Sequence, residues 1–438
     1  MTTDPRAVIQ DAPMSRFQWG VVATMIGLNA LDGFDVLSIS FASPGIAQEW
    51  GIDRAALGFV LSMELIGMSL GSLFLGGLAD RIGRRGTILV CLGLMSVGML
   101  GAATANSIPV LSAWRVLTGL GIGGMLASTN AAVAEAANGR RRSLAVVLMA
   151  AGYPVGTIIG GLISAVLLSH FDWRAVFVFG ALASAAFIPI VLLFAPESIA
   201  FLMHRRPADA LERVNRVLGR MRQAPVDALP EPESEKERVR TSALFSSKLA
   251  RPTVLLTIAY LAHIMTFYFI LKWIPKIVTD MGFHPSEAAG VLVWASIGGA
   301  AGSLLLGLLT SRLPLLWLTI VAMAVSAALV ILFGNEQTTL GQLSTVAALA
   351  GFATNAGVVG LYALMAQSFP TGVRASATGV VIGVGRGGSA LAPAVAGLLF
   401  AAGHSLQTVA ILMALGSVVG GITLLGMRGW RQPDEASA

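Results

Sequence analysis

The chain has 438 residues, of which 55% are hydrophobic and 12% charged, and its mean hydropathy is +0.78. A soluble domain carries about twice that share of charge, so a soluble enzyme and a nucleic-acid binder are excluded. The formal charge of +6 comes from arginines in short loops between apolar runs, so it reports membrane topology and not a polyanionic partner.

The apolar runs are about 20 residues long, the length of a bilayer-crossing helix, and they lack the alternation of a membrane barrel. The predicted fold class is therefore an all-α polytopic membrane protein. A polar tail, 1–17, precedes twelve predicted spans at 18–43, 55–79, 87–106, 110–136, 143–168, 174–194, 253–279, 287–310, 315–334, 341–368, 375–401 and 406–427. The first run is too long for a signal peptide. A polar stretch divides the spans six and six, giving bundles at 18–195 and 252–428, a linker at 196–251 and a tail at 429–438. Arg81, Arg84 and Arg85, then Arg140, Arg141 and Arg142, and the arginines of the linker fall on one side, against Arg54 and Arg174 on the other. Both termini are therefore expected in the cytoplasm. The single cysteine, Cys91, permits no intrachain disulfide.

Span one carries Asp32-Gly33-Phe34-Asp35. Two acids three residues apart project to similar sides of a helix. Burial and mutual repulsion favour a proton on at least one, as a proton carrier requires; pairing with Arg115 is the structural alternative. Span two holds Glu64, read as a second proton site or a group facing a watered vestibule. Gly76-Gly77-Leu78-Ala79-Asp80-Arg81-Ile82-Gly83-Arg84-Arg85 joins spans two and three. Its glycines allow a tight turn, and Asp80 can pair with a cation or cap the next helix.

In span four Arg115, Gly119 and Gly123 share one helix face. An arginine this deep needs a partner or water, so Arg115 is read as a proton-coupling residue or a structural ion pair. Asn130 is a candidate cavity donor, and Glu135 is assigned to gating or proton exit. Span five carries Gly152-Tyr153-Pro154-Val155-Gly156, whose small residues let helices cross closely. The linker segment 207–222 has Leu211, Val214 and Leu218 at helical spacing and reads as an interfacial amphipathic helix.

In the second half His263 reads as packed and hydrogen-bonded. Lys272 and Lys276 read as snorkelling to the membrane surface. Span eleven places Arg386 in Gly385-Arg386-Gly387-Gly388. Small neighbours leave its guanidinium open, and a planar fork suits a carboxylate, so Arg386 is the candidate partner of a substrate carboxylate, with a buried ion pair to Asp32 or Asp35 as the alternative. Phe34, Tyr153, Trp294 and Tyr362 could stack on a substrate ring, and Asn355 could donate to it. Residues 66–81 and 297–312 overlay with a shift of 231, matching Gly67 with Gly298 and Gly71 with Gly302. That repeat points to duplicated halves with a binding site between them.

The 76–85 string resembles the loop signature of the major facilitator superfamily, and the span-four and span-five strings resemble further motifs of it. The Asp32–Asp35 string, the Trp273-Ile274-Pro275 string and the glycine-flanked Arg386 resemble its aromatic acid/proton symporter branch. That resemblance implies two pseudo-symmetric six-helix halves and inward proton symport of an aromatic carboxylate such as benzoate, a hydroxybenzoate or protocatechuate. It implies a monomer in the bacterial inner membrane, with no cofactor and no metal. No lysine follows a glycine, so a phosphate-binding loop is absent, and an ion gradient or the substrate's own gradient must drive transport; the intramembrane acids favour protons. The expected cycle protonates Asp32 or Asp35, frees Arg386 for the carboxylate, rocks inward and loses the proton there. Another organic acid, muconate-like or nicotinate-like, is the alternative substrate, and a proton/drug antiporter the alternative class.

Overall fold

The computed structural model describes residues 4–230, 249–335 and 337–429. Residues 231–248 of the predicted linker and 430–438 of the predicted tail lie outside the described residues. The elements are all helical: α1 (Pro5–Asp11), α2 (Arg16–Trp50), α3 (Arg54–Phe74), α4 (Ala79–Ala103), α5 (Ile108–Ala136), α6 (Arg142–His170), α7 (Arg174–Phe194), α8 (Ile199–Arg205), α9 (Ala210–Arg220), α10 (Ala250–Asp280), α11 (Pro285–Leu309), α12 (Leu315–Phe333), α13 (Leu340–Ser368), α14 (Thr371–Ala401) and α15 (Leu406–Leu425). Eleven described stretches are long and apolar enough to cross a membrane, and one of them, Arg54–Ala103, contains both α3 and α4. Twelve membrane helices result, as the run lengths predict. Large apolar side chains such as Leu73, Val166 and Leu304 stand exposed along them, which suits a lipid surround and not water. The end where α2 meets α3 is called here the far end, and the end carrying the N-terminal tail the tail end.

The helices group into two compact units. The first holds the chain up to Val36, Gly67–Ile159 and the stretch from Phe177 to the linker. The second holds Leu37–Ile66, Gly160–Val176 and the chain after the linker. Four helices, α2, α3, α6 and α7, thus pass from one unit to the other along their length.

In the first unit, glycines bring helices to backbone contact. A Cβ at Gly67 would collide with the Val116 carbonyl oxygen, and one at Gly71 with that of Leu120. The second unit repeats this crossing: Gly298 lies on the Ala348 carbonyl and Gly302 on that of Phe352. The α3·α5 and α11·α13 crossings therefore share one register, the structural form of the sequence repeat. A second close crossing joins α2 and α6, where Gly33 meets the Tyr153 carbonyl and Gly156 that of Ala30. The glycine of the Asp32–Asp35 string is thus a packing residue.

The amphipathic helix α9 forms, but its apolar face does not lie free for lipid. Val214, Val217 and Leu218 pack with Ile9 of α1 and with Ile199 and Leu202 of α8. The residues that predict a membrane-facing stripe instead close a small core beside the first unit's tail-end helices. Burying them against protein satisfies the same hydrophobic demand.

Candidate functional site

In the first unit α2 carries Asp32 and Asp35 into the interior, 3% and 0% exposed. The Asp32 Oδ1 has no hydrogen-bond partner among the described residues, and the Cys91 thiol lies within its electrostatic reach. Arg115, also fully buried, donates from Nη2 to the Asp35 carbonyl oxygen at 3.1 Å and from Nη1 to the Met99 sulfur at 3.0 Å. Its guanidinium lies 5.3 Å from the centre of the Phe177 ring. The fold therefore brings Arg115 against the α2 backbone at Asp35. Phe34 packs edge-on against Phe179 at 5.2 Å and lines the core. Gly180 leaves room for Asp35: a Cβ there would stand 3.2 Å from the Asp35 Oδ1. Tyr153 is half-buried and supplies its carbonyl to the Gly33 crossing. Asn130 donates to the Leu126 carbonyl of its own helix at 2.9 Å.

The charged string forms less of a loop than its glycines suggest. Gly76–Leu78 make one 3-10 turn, and α4 starts inside the string at Ala79. The helix then breaks at Gly83, whose φ of 88° and ψ of 168° lie outside the helical region. Only glycine adopts this backbone readily. The break frees the amides of Arg84 and Arg85, and the Glu197 carboxylate accepts from both, at 2.8 and 3.4 Å. An anion at a fresh helix start is favoured by the helix dipole. Arg84 reaches on to Asp80 at 3.2 Å and to Glu135 at 3.5 Å. Asp80, Arg84 and Glu135 are therefore one charge chain, while Arg81 is exposed and Arg85 donates to the Leu192 carbonyl. Glu197 is a residue that sequence reasoning missed; its signal was an acid at the mouth of a membrane helix, in Pro196-Glu197-Ser198.

In the second unit Arg386 is half-buried on α14. Gly387 beside it has open space, and Gly385 has room for no side chain because the Tyr260 ring lies against it. The Tyr260 and Tyr362 hydroxyls share a hydrogen bond of 3.0 Å. Arg386 lies within electrostatic reach of the hydroxyls of Tyr260 and Tyr268. Tyr362 thus joins this neighbourhood through Tyr260. Tyr260 was not singled out from sequence, although it stands two turns from Tyr268 on α10. Asn355 donates to the Gly299 carbonyl at 2.9 Å and to the Ser303 hydroxyl at 2.7 Å, so its amide knits α13 to α11. Trp294 stands apart from the cluster: it is 52% exposed and lines a surface groove with Leu340, Ser344 and Ala348. His263 is packed as expected, bonded to the Ser417 hydroxyl and the Thr354 carbonyl.

Lys272 departs from the expectation. It does not snorkel to a membrane surface; it is fully buried and its Nζ meets the Glu64 Oε2 at 3.2 Å, with Glu64 equally buried. Glu64 faces this cation and not a watered vestibule. Lys276, one turn farther out, pairs with Asp280 near the helix end, which is the surface position expected of it.

Comparison with known proteins is consistent with this architecture. The family model of the Major Facilitator Superfamily matches residues 25–341 and 256–438. The chain belongs to the major facilitator superfamily. It is 30% identical over 420 residues to the 4-hydroxybenzoate transporter PcaK of Pseudomonas aeruginosa, covering 94% of this chain and 93% of that one. It is 28% identical over 423 residues to the gallate transporter of Pseudomonas putida, covering 96% and 94%. Its fold matches the inward-open conformation of the xylose transporter XylE from E. coli with a TM-score of 0.70 at 16% identity, over 96% and 97% of the two chains. The twelve-helix superfamily fold and a place in the aromatic-acid branch of its transporters follow.

Proposed function

We propose that the chain imports an aromatic carboxylate by proton symport across the bacterial inner membrane, as a monomer with both termini in the cytoplasm. The far end then faces outward. The six-helix bundles at 18–195 and 252–428 are the bodies that rock, with the linker between them on the inside. The observation that carries the substrate reading is Arg386 on α14 within electrostatic reach of Tyr260 and Tyr268, with the Tyr362 hydroxyl bonded to that of Tyr260. A guanidinium takes the carboxylate as a fork, and phenol rings offer both stacking faces and hydroxyl partners to a substituted ring. The relatives named for 4-hydroxybenzoate and gallate carry such rings.

The proton is held by Asp32 or Asp35. In this reading the bound proton is given up when the inner path opens to the higher internal pH. Arg115 holds the α2 backbone at Asp35 in position through the Asp35 carbonyl oxygen. The charge chain Asp80–Arg84–Glu135 and the Glu197 cap act as the inner latch. Import results when the carrier returns only with both proton and carboxylate bound, or with neither.

The test is uptake of labelled aromatic acids by cells expressing the chain, with and without a protonophore. One acid should accumulate, and the protonophore should abolish its accumulation. Asp35→Asn should lose accumulation while still exchanging internal for external substrate. Full proton-driven accumulation by Asp35→Asn would remove Asp35 from the coupling role.

A further inference from the structure

At the far end of the second unit a guanidinium and two aromatic rings enclose a hollow that none of the machinery above uses. It has a volume of about 210 Å³, and its walls include Arg54 of α3, Trp273, Ile277 and Asp280 of α10, Met281, and Phe400 of α14. Trp273 is fixed there: its indole donates to the Pro393 carbonyl at 3.3 Å. Its ring stands 5.0 Å from that of Phe400 at an angle of 50°, so the two rings do not cover each other face to face. Arg54 places its guanidinium 5.1 Å from the centre of the Phe400 ring and donates from Nη2 to the Asp280 Oδ2 at 2.9 Å. The Arg54 side chain is 42% exposed, so a solute reaches it from the far end. Asp280 also pairs with Lys276, and two cations therefore share this one carboxylate. Asp53, next to Arg54 in the chain, is engaged in capping α3, accepting from the Ala56 amide at 2.7 Å.

We infer that this hollow is an outer capture site for an aromatic carboxylate, in which Arg54 takes the carboxylate in place of Asp280 and the ring enters between Trp273 and Phe400. The inference rests on the import reading above, which places the far end outside and supplies the ligand.

Size, charge and wall chemistry select this ligand class together. An apolar cavity of about 150 Å³ holds benzene, so the hollow admits one substituted ring. Aromatic walls favour a flat ring through edge and face contacts. A ligand carboxylate can engage the guanidinium fork by two parallel bonds, where Asp280 accepts from one nitrogen. Parting a half-exposed bridge costs little, and the exchange strands no charge, because Asp280 keeps Lys276. Trp273 lies on the same helix as Tyr268, five residues farther out, about 7.5 Å along the axis. An acid held at the hollow therefore waits just outside the tyrosine–arginine cluster.

The experiment uses the full chain in lipid nanodiscs with its eight tryptophans replaced by fluorotryptophan, read by fluorine NMR. Trp273→Phe identifies the Trp273 signal, and benzoate is the probe. The signal should shift and saturate with benzoate, and should do so equally in Arg386→Gln, whose central site is disabled. Benzyl alcohol, the same ring without the charge, should bind at least about ten-fold more weakly, as should benzoate to Arg54→Gln, since each lacks the charged hydrogen bond. Asp280→Asn should tighten benzoate binding about two- to five-fold, because it removes the competitor for Arg54. Both substitutions abolish the same bridge, so a merely structural bridge would move both in one direction; the capture site moves them in opposite directions. A Trp273 signal that benzoate leaves unmoved overturns the site. So does a shift that vanishes in Arg386→Gln, an equal response to benzyl alcohol, or weaker binding in both Arg54→Gln and Asp280→Asn. Uptake with a silent Trp273 signal would remove the capture site and leave the import reading. A saturating shift in a chain that takes up no aromatic acid would keep the binding site and remove the import reading.

Discussion

At the far end Gly58 of α3 lies on the backbone of Pro393 and Gly397 of α14, and this close approach gives a steric handle on far-end opening. Gly58 has no room for a side chain: a Cβ there would stand 2.5 Å from the Pro393 carbonyl oxygen and 3.0 Å from the Gly397 Cα. Ordinary contact starts at 3.4 Å, so Gly58→Ala forces α3 and α14 apart by about 0.9 Å. The obstacle is backbone and cannot rotate away. Overpacking of this kind costs about 1–3 kcal/mol, a shift of roughly 5- to 150-fold in a two-state equilibrium. The closed far end bears the whole of it, because an open seam leaves the methyl group free. Gly58→Ala should therefore raise the open population and slow net uptake, and Gly58→Val should do more of both. Spin labels at the exposed positions Gln48 and His404 in nanodiscs would report the opening as a longer distance component. Gly290→Ala on α11 is the control: no atom lies within 4 Å of a Cβ there, and it should leave the distances unchanged. Parent-like distances and uptake in Gly58→Val would refute the steric reasoning.

Arg386→Lys keeps the charge and loses the fork. It should raise the KM for the aromatic acid by roughly ten-fold or more, the loss of a hydrogen bond to a charged group, and uptake kinetics at matched expression would measure it. Tyr260→Phe removes the 3.0 Å bond to Tyr362. At about 0.5–1.5 kcal/mol it should weaken uptake of a hydroxylated benzoate roughly two- to ten-fold relative to benzoate, read from competition in one culture. Gly83→Ala places a side chain at a backbone that costs about 1–3 kcal/mol for other residues and drives its Cβ into the Glu197 carboxylate. It should lower the melting temperature of the purified protein, and Glu197→Gln, which clears no space, should not rescue it.

Much of the fold was readable because a bilayer imposes it. The hydrocarbon thickness sets the helix length, so run lengths alone located all twelve helices to within a few residues at most ends. The start of α4 was the main exception. Gly76 to Arg85 looks like a turn by composition, yet helix geometry resumes at Ala79 and breaks again at Gly83, because Glu197 waits to cap the freed amides. That partner is more than a hundred residues away and leaves no local mark. The repeat was readable for a related reason. Close crossings need glycine at fixed spacing, and Gly67/Gly71 and Gly298/Gly302 preserve it.

The candidate site was readable in its charges and much less so in its partners. Asp32, Asp35, Arg115 and Arg386 announce themselves, since a charge inside an apolar run is costly and needs a reason. Lys272 was misread because a lysine eight residues from the end of α10 can reach the surface or stay inside, and only Glu64 on α3 decides between the two. Tyr260 gives no local signal at all: a tyrosine in a membrane helix is unremarkable until Tyr362 and Arg386 are found beside it.

Composition and run length therefore determined by themselves that this chain is a bundle of twelve membrane helices with buried charge, because the bilayer is a solvent with one thickness and no tolerance for unpaired polar groups. Tertiary structure decided which charges meet. Pairing depends on the rotation and register of helices far apart in the chain, and those are set by packing that no single run of residues encodes.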